Sequence, residues 1–312
     1  SVAELYIILI SNATLLADVC AATGDTAVRK LLDAAQGRIR LLGIIKDYAE
    51  GYAPTTTQGI DSDVITAMSG LNTLLNSYAN AFKPARALLP GAHWDGTATA
   101  LINLRESSFN RVGVVLGSND ASGLAAIGTT LGRLASIPVH RNIGRVKDGS
   151  VLPDAFMTDG EGALIHENLW PSLHEKGFIF FRKFQGKNGF YFNDDPVAAP
   201  LTDDYSSLSK GRTIDKALTI VYSTYVDEIL DNVEVDAKGQ ISAAACKYYE
   251  GRINNAVNAN MSDEISSFRS YVDPAQNVLS TSLMKIVCAI VPQGQLKEIV
   301  VELGFENPAL NQ

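Results

Sequence analysis

Histidine, cysteine, long apolar runs and net positive charge are all in short supply in this chain. Its four histidines are His93, His140, His166 and His174. Neither His166-Glu167 nor His174-Glu175 is followed, three residues past the glutamate, by the second histidine that sets two zinc ligands one helical turn apart. Surface or helix-capping roles are expected for them. Cys20, Cys246 and Cys288 lie too far apart for a disulfide framework or a closely spaced zinc site, and none has the basic surroundings that make a reactive thiolate; buried free thiols are expected. The longest apolar stretches, Glu4 to Ile10 and Met284 to Val291, are strand-length and fall short of the roughly 18 residues a membrane span needs. Ser1-Val2-Ala3-Glu4 carries no basic leader and runs straight into Leu5, so the chain is expected to begin inside a folded element. A formal net charge of −8 and a pI near 5.1 argue against a nucleic-acid binder, which normally turns a basic face to phosphate.

Enzyme signatures are missing as well. There is no G-x-S-x-G elbow to present a serine nucleophile. Gly113 to Gly117 runs into Ser118 to Gly123 at a helix start, where a phosphate could dock on free amides, but no G-x-G-x-x-G follows, and a plain N-capping turn is the competing explanation. Gly186-Lys187 is followed by Asn188, which breaks the Walker pattern. Asp194-Asp195 and Asp203-Asp204 could pair for acid–base chemistry or a metal, yet adjacent acids on a proline-containing loop usually solvate it. No catalytic, cofactor-binding or metal-binding residue is expected.

The chain does carry an ordinary globular composition: 46% hydrophobic residues and a mean hydropathy of +0.06 over 312 residues, enough for one large or two medium domains. Up to residue 135, strands alternate with amphipathic helices. Strands are expected at Leu5 to Ile10, Ile39 to Ile45, Ala85 to Leu89 and Val112 to Leu116. Helices are expected at Thr26 to Gln36, stopped by Gly37, after the Asp61-Ser62-Asp63 cap, at Thr97 to Leu104, and at Ala121 to Ala135. This βαβα order predicts a mainly parallel sheet with helices on both faces. Residues 136–176, broken by Pro138 and several glycines, read as a connector. Beyond it lie a hairpin, Gly177 to Phe181 and Gly189 to Asn193, a long loop to Lys210, helices at Thr213 to Leu230 and Ser242 to Ala259, and strands around Phe268 to Val272, Leu283 to Val291 and Lys297 to Phe305. No internal repeat is present. The fold class is therefore α/β, α+β overall: a parallel-sheet half at 1–135, then an α+β half at 177–312 with two long helices, terminal strands and a strand arm from about 293 to 312.

The words Gly177-Phe178-Ile179-Phe180-Phe181-Arg182-Lys183-Phe184, Gly189-Phe190-Tyr191-Phe192-Asn193-Asp194-Asp195, Asp203-Asp204-Tyr205 and Gly211-Arg212-Thr213-Ile214-Asp215-Lys216-Ala217 resemble the C-terminal domain of contractile phage tail sheath proteins of the Mu-like and Bacteroidetes types. Leu134 to Gly144 and the closing Leu283 to Leu303 are similar to the same family, so the likeness runs from about Leu131 to Phe305. It singles out Arg182, Tyr191, Asp194, Asp204, Tyr205, Arg212, Asp215 and Lys216 as motif positions.

The resemblance implies a non-enzymatic structural subunit without cofactors. Such a subunit polymerises as hexameric rings stacked in a helix around a tail tube protein, meets a baseplate and a tail terminator, and contracts. Its place would be a virion tail or a contractile injection particle, phage- or prophage-derived, assembled in the bacterial cytoplasm. Sheath subunits stay linked by lending terminal strands to a neighbour's sheet, which is β-augmentation. Lys297, Glu298, Ile299, Val300, Val301, Glu302, Leu303 and Phe305 suit such a strand, although they could equally close the chain's own sheet. The family's N-terminal arm has no evident counterpart before Leu5. Arg182, Lys183, Arg212 and Lys216 either pair with acids of a neighbour or the tube, or lie on solvated faces. An α/β hydrolase or nucleotide-dependent enzyme, with a polar cleft at the carboxyl ends of the strands, and a non-contractile virion structural protein are the alternatives.

Overall fold

The computed structural model describes residues 4–304, so the Phe305 end of the expected arm lies outside the described residues. Its centre is a three-stranded parallel sheet: β1 (Leu41–Gly43), β2 (Arg86–Pro90) and β3 (Val112–Val115), in the order β1-β2-β3, with Leu41 opposite Arg86 and Ala87 opposite Val112. Side chains alternate across it, as the period of two requires. Ala87, Leu89, Val112 and Val114 face one apolar cluster, while Leu88 and Val115 face another.

The first cluster is closed by helices α1 (Ala27–Ala35) and α2 (Ser62–Asn80). Thr26 caps α1 by accepting from the Arg29 amide at 3.3 Å, and the helix ends as predicted at a left-handed Gln36 followed by Gly37 at φ 83°. Asp61 caps α2 through the Asp63 amide at 3.0 Å. Val64, Met68, Leu71, Leu74 and Leu75 then fall on one buried face, as their spacing predicts. The opposite sheet face is covered by α3 (Ile127–Ser136), which lies so close to β1 that a Cβ on Gly43 would sit 2.6 Å from Ile127 Cγ2.

The aromatic hairpin follows as predicted, with β4 (Phe181–Arg182) antiparallel to β5 (Tyr191–Phe192). Residues 178–199, which the sequence reading grouped with the C-terminal half, pack into the first half. Phe178, Phe180 and Ala198 join the α2 cluster, and Ile179, Phe181, Phe190, Phe192 and Val197 join the α3 cluster.

Two long helices come next, α4 (Leu208–Tyr225) and α5 (Ala243–Met261), the second capped by Ser242 through the Ala245 amide at 3.2 Å. They carry an antiparallel hairpin, β6 (Ile265–Val272) and β7 (Ile286–Pro292), in which Phe268 faces Ile290 and Tyr271 faces Val287. The core here is small: Ala217, Ile253, Val257, Met261 and Ile265, with a satellite of Ile241, Cys246, Tyr249 and Val272. Among the described residues no helix is long and apolar enough to cross a membrane.

Three expectations fail. Leu5 to Ile10 has no regular structure and pairs with no strand among the described residues, with Leu5 and Leu9 at 84% and 90% exposure; β-branched residues supply propensity, but a strand also needs a ladder partner, and β1 offers none to this segment. Thr97 to Leu104 forms no helix, because Asp95 turns the chain by accepting the Thr97 amide at 2.9 Å beside Gly96 at φ 76°; only a short 3₁₀ turn, Leu104–Glu106, follows. Residues 297–304 carry no regular structure. Two single residues also differ from expectation. Cys288 is exposed on β7, whereas Cys20 and Cys246 are buried. His166 is buried, its Nε2 2.8 Å from Asp159 Oδ2 and its ring 4.9 Å from that of Trp94.

Candidate assembly interface

The first half and the C-terminal unit meet where α4 begins. Ser207 caps the helix by accepting the Lys210 amide at 3.3 Å, and Gly211 in its first turn lets the helix lie directly on Arg86 of β2. A Cβ on Gly211 would overlap the Arg86 guanidinium. That guanidinium is 1% exposed and donates from Nε to Asp215 at 2.8 Å, while Arg111 reaches the same carboxylate at 3.2 Å. Burial pulls the Arg86 pKa down and Asp215 opposes it, so this acid is the charge that makes a buried arginine tolerable. Tyr205 lies over the same guanidinium, 5.9 Å from ring centre to Cζ.

Beside the junction a cavity of about 660 Å³ opens between the 201–205 loop, α4 and the β6–β7 hairpin. Asp203, Asp204, Tyr205 and Asp215 line its polar end, and Val221, Phe268 and Ile290 its apolar end. The hairpin that forms its wall has two strands, so among the described residues neither outer edge has a ladder partner. Val287 and Val291 on β7 are 52% and 53% exposed, and Tyr271 on β6 is 55% exposed.

The chain leaves β7 at Pro292 and crosses the start of α4. Gln293 Nε2 donates to the Asp263 carbonyl at 2.9 Å. Gln295 Nε2 donates to Ser209 Oγ at 2.9 Å and to the His140 carbonyl at 3.1 Å. Lys297 Nζ reaches Asp194 Oδ2 at 2.5 Å. The Asp194-Asp195 pair is therefore no solvated loop: the two residues are 3% and 0% exposed. Asn142 donates to both carboxylates, at 2.5 and 2.8 Å, and Asp195 accepts the Ser209 amide at 2.7 Å at the N-terminus of α4. Burial, then the neighbouring Asp194 charge, push the Asp195 carboxyl up to about 7. Burial pushes Asp194 up too, but Lys297 and the hydrogen bonds outweigh it and hold this carboxyl below the usual range.

The motif positions are thus dispersed. Asp194 and Lys297 are brought together, and Asp204, Tyr205 and Asp215 share the cavity. Arg182 and Tyr191 sit opposite each other in the aromatic hairpin, where the Arg182 guanidinium lies over the Phe184 ring, 4.5 Å from its centre. Arg212 donates to the Ile137 carbonyl at 3.2 Å, its pKa pulled to about 10 by burial, and Lys216 pairs with Glu264 at 2.6 Å. Glu298, Ile299, Val300, Val301, Glu302 and Leu303 are exposed. Arg86, Arg111, Asn142 and Gln295 escaped the sequence reading. Arg86, a charge inside an apolar strand, and Asn142, inside the family-like words Leu134 to Gly144, left a trace in the sequence.

Family models described as the N-terminal and C-terminal domains of DUF2586 match residues 1–196 and 204–310. No curated protein matches the sequence. Among solved structures, the helical sheath of the anti-feeding prophage in its contracted state is similar with a TM-score of 0.58 at 14% identity, over 90% of this chain and 73% of that one. The contracted sheath complex of an extracellular contractile injection system, PVC, is similar over 98% of both chains, with a TM-score of 0.55 at 9% identity. The six-fold symmetrised baseplate of the anti-feeding prophage contains a chain similar with a TM-score of 0.55 at 13% identity, over 90% of this chain and 72% of that one. At these identities the likeness is one of fold.

Proposed function

The chain belongs to the DUF2586 family, and from that membership and the sheath fold we propose that it is a structural subunit of a contractile sheath, polymerising with copies of itself around a tail tube in a phage tail or a contractile injection particle. The observation that carries this reading is the pairing of an open two-stranded hairpin with a terminal segment it does not use. Residues 299–303 are an exposed run led by β-branched Ile299, Val300 and Val301, with Ile299 at 74% and Leu303 at 93% exposure, that finds no ladder partner among the described residues. A second copy supplies the missing edge by β-augmentation, so that arm and hairpin become donor and acceptor of one strand. The exposed Leu5 to Ile10 segment is a second donor candidate of the same character.

The sheath role is structural rather than catalytic, and a baseplate and a tail terminator are its end partners. The unpaired edges of the β6–β7 hairpin and the exposed Val287 and Val291 of β7 favour a protein partner over a small-molecule substrate in the cavity. Negative-stain electron microscopy of the concentrated chain tests the proposal, alongside a variant ending at Pro292. Hollow tubes or stacked six-fold rings are expected from the full chain and none from the shortened one. Monodisperse monomers from the full chain at every salt and protein concentration would overturn it.

A further inference from the structure

The arm is held down by alternate residues. Gln293, Gln295 and Lys297 each bond the body of the subunit, while Leu296 between them is 88% exposed. This is the period of an extended chain with one face pinned and the other free. The pinned face ends where the apolar run begins. Ile299 and Val301 have the same parity as Lys297, yet they are 74% and 68% exposed. The three anchors are all polar, and the apolar residues beyond them are left in water.

The socket under Lys297 is poor without it. It presents two adjacent buried carboxylates, and among the described residues no other cationic side chain is hydrogen-bonded to either. Arg105 beside the sheet spends its Nη1 on the carbonyls of Ala199 and Ser206, and Arg212 of α4 spends Nη2 on Ile137. The arm is thus retained by the one cation that, among the described residues, is hydrogen-bonded to the pair, while Arg105 and Arg212 act on it only through space. It is not retained by burial of the surface the arm would lend to a partner.

We propose that Lys297 in the Asp194–Asp195 socket is an autoinhibitory latch: it keeps the arm along its own subunit, and it must open before residues 299–303 can pair with a second copy of this chain. The inhibitory half rests on the sheath reading above; the holding half does not.

Two readouts on the full chain separate them. Lys297→Met removes the cation, Gln295→Ala removes only the amide anchor and guards against a folding defect, and Lys297→Arg restores the charge. The backbone order parameters of residues 293–304 in the monomer, measured by nuclear magnetic relaxation, are expected to fall from the rigid range, about 0.85, to below about 0.6 in Lys297→Met, less in Gln295→Ala, and little in Lys297→Arg. The concentration at which tubes first appear is expected to fall several-fold in Lys297→Met. Unchanged order parameters in both Lys297→Met and Gln295→Ala overturn the latch whether or not the chain polymerises. Lowered order parameters with an unchanged or higher onset of assembly overturn the inhibition. Absence of tubes from every form defeats the sheath reading and the inhibition together, while the order parameters still decide whether Lys297 holds the arm.

Discussion

The sheet strands of the first half and strand β7 of the C-terminal hairpin are built from similar apolar residues and end in opposite states. Every residue of β2 and β3 is buried on both faces, between α2 on one side and α3 with the aromatic hairpin on the other. In β7 no residue is fully buried, and Val287 and Val291 stand half in water. A strand rich in β-branched residues thus reports only that it will be covered, not by which chain. The first half carries its cover in sequence, as α2 and α3. The hairpin has α4 and α5 on one side and, among the described residues, nothing along its outer edges.

Three changes probe that contrast. The largest effect is expected at the joint: Asp215→Ala strands Arg86 in the sheet and is expected to cost about 3–5 kcal/mol in chemical denaturation, with the C-terminal unit melting ahead of the first half. A single unchanged transition would mean the two regions do not depend on this contact.

Asp195 comes next. Its carboxyl is raised to about 7 when folded, so the stability it contributes is present below the ordinary carboxylate range and lost as pH rises from about 4 to about 7. The group facing it from its own loop is Asp194; Arg212 comes from α4, Arg105 from the turn before β3, Asn142 from the connector and Lys297 from the arm. Asp195→Asn is expected to flatten that slope by on the order of 2–4 kcal/mol between pH 4 and pH 8, read from melting curves across pH; an unaltered slope would place the titration elsewhere.

The smallest effect is the cap of α5. Ser242→Ala removes one acceptor for the Ala245 amide and is expected to cost about 1 kcal/mol, seen as faster amide exchange in α5 and the hairpin with the first half unaffected. Equal acceleration in both regions would show that they unfold as one.

Local chemistry was the legible part. The Asp61 cap, the helix starts at Thr26 and Ser242, stops such as Gly37, and the spacing of Val64 to Leu75 act within a few residues, and each element they define is present. Pairing is nonlocal, which is why Leu5 to Ile10 read as a strand and found no neighbour. The socket was illegible for a sharper reason. Asp194-Asp195 looks like any acidic loop until Asn142, Gln295 and Lys297, from two distant stretches of chain, close over it. The basic motif residues Arg212 and Lys216 were legible as charges but not as partners, since each is engaged within the subunit, by Ile137 and Glu264.

The Arg86–Asp215 joint also has a mechanical reading. Helix α4 is fixed to the sheet over roughly its first two turns, about seven residues, and from Ala217 onward it carries α5 and the hairpin instead. It is a beam clamped at one end. A pull delivered to the arm travels through β7 into the free length of that beam, and the bending moment is greatest where the clamp ends, between Asp215 and Ala217. Two arginines on one carboxylate, one within β2 and the other just before β3, are a support suited to stress arriving from that side.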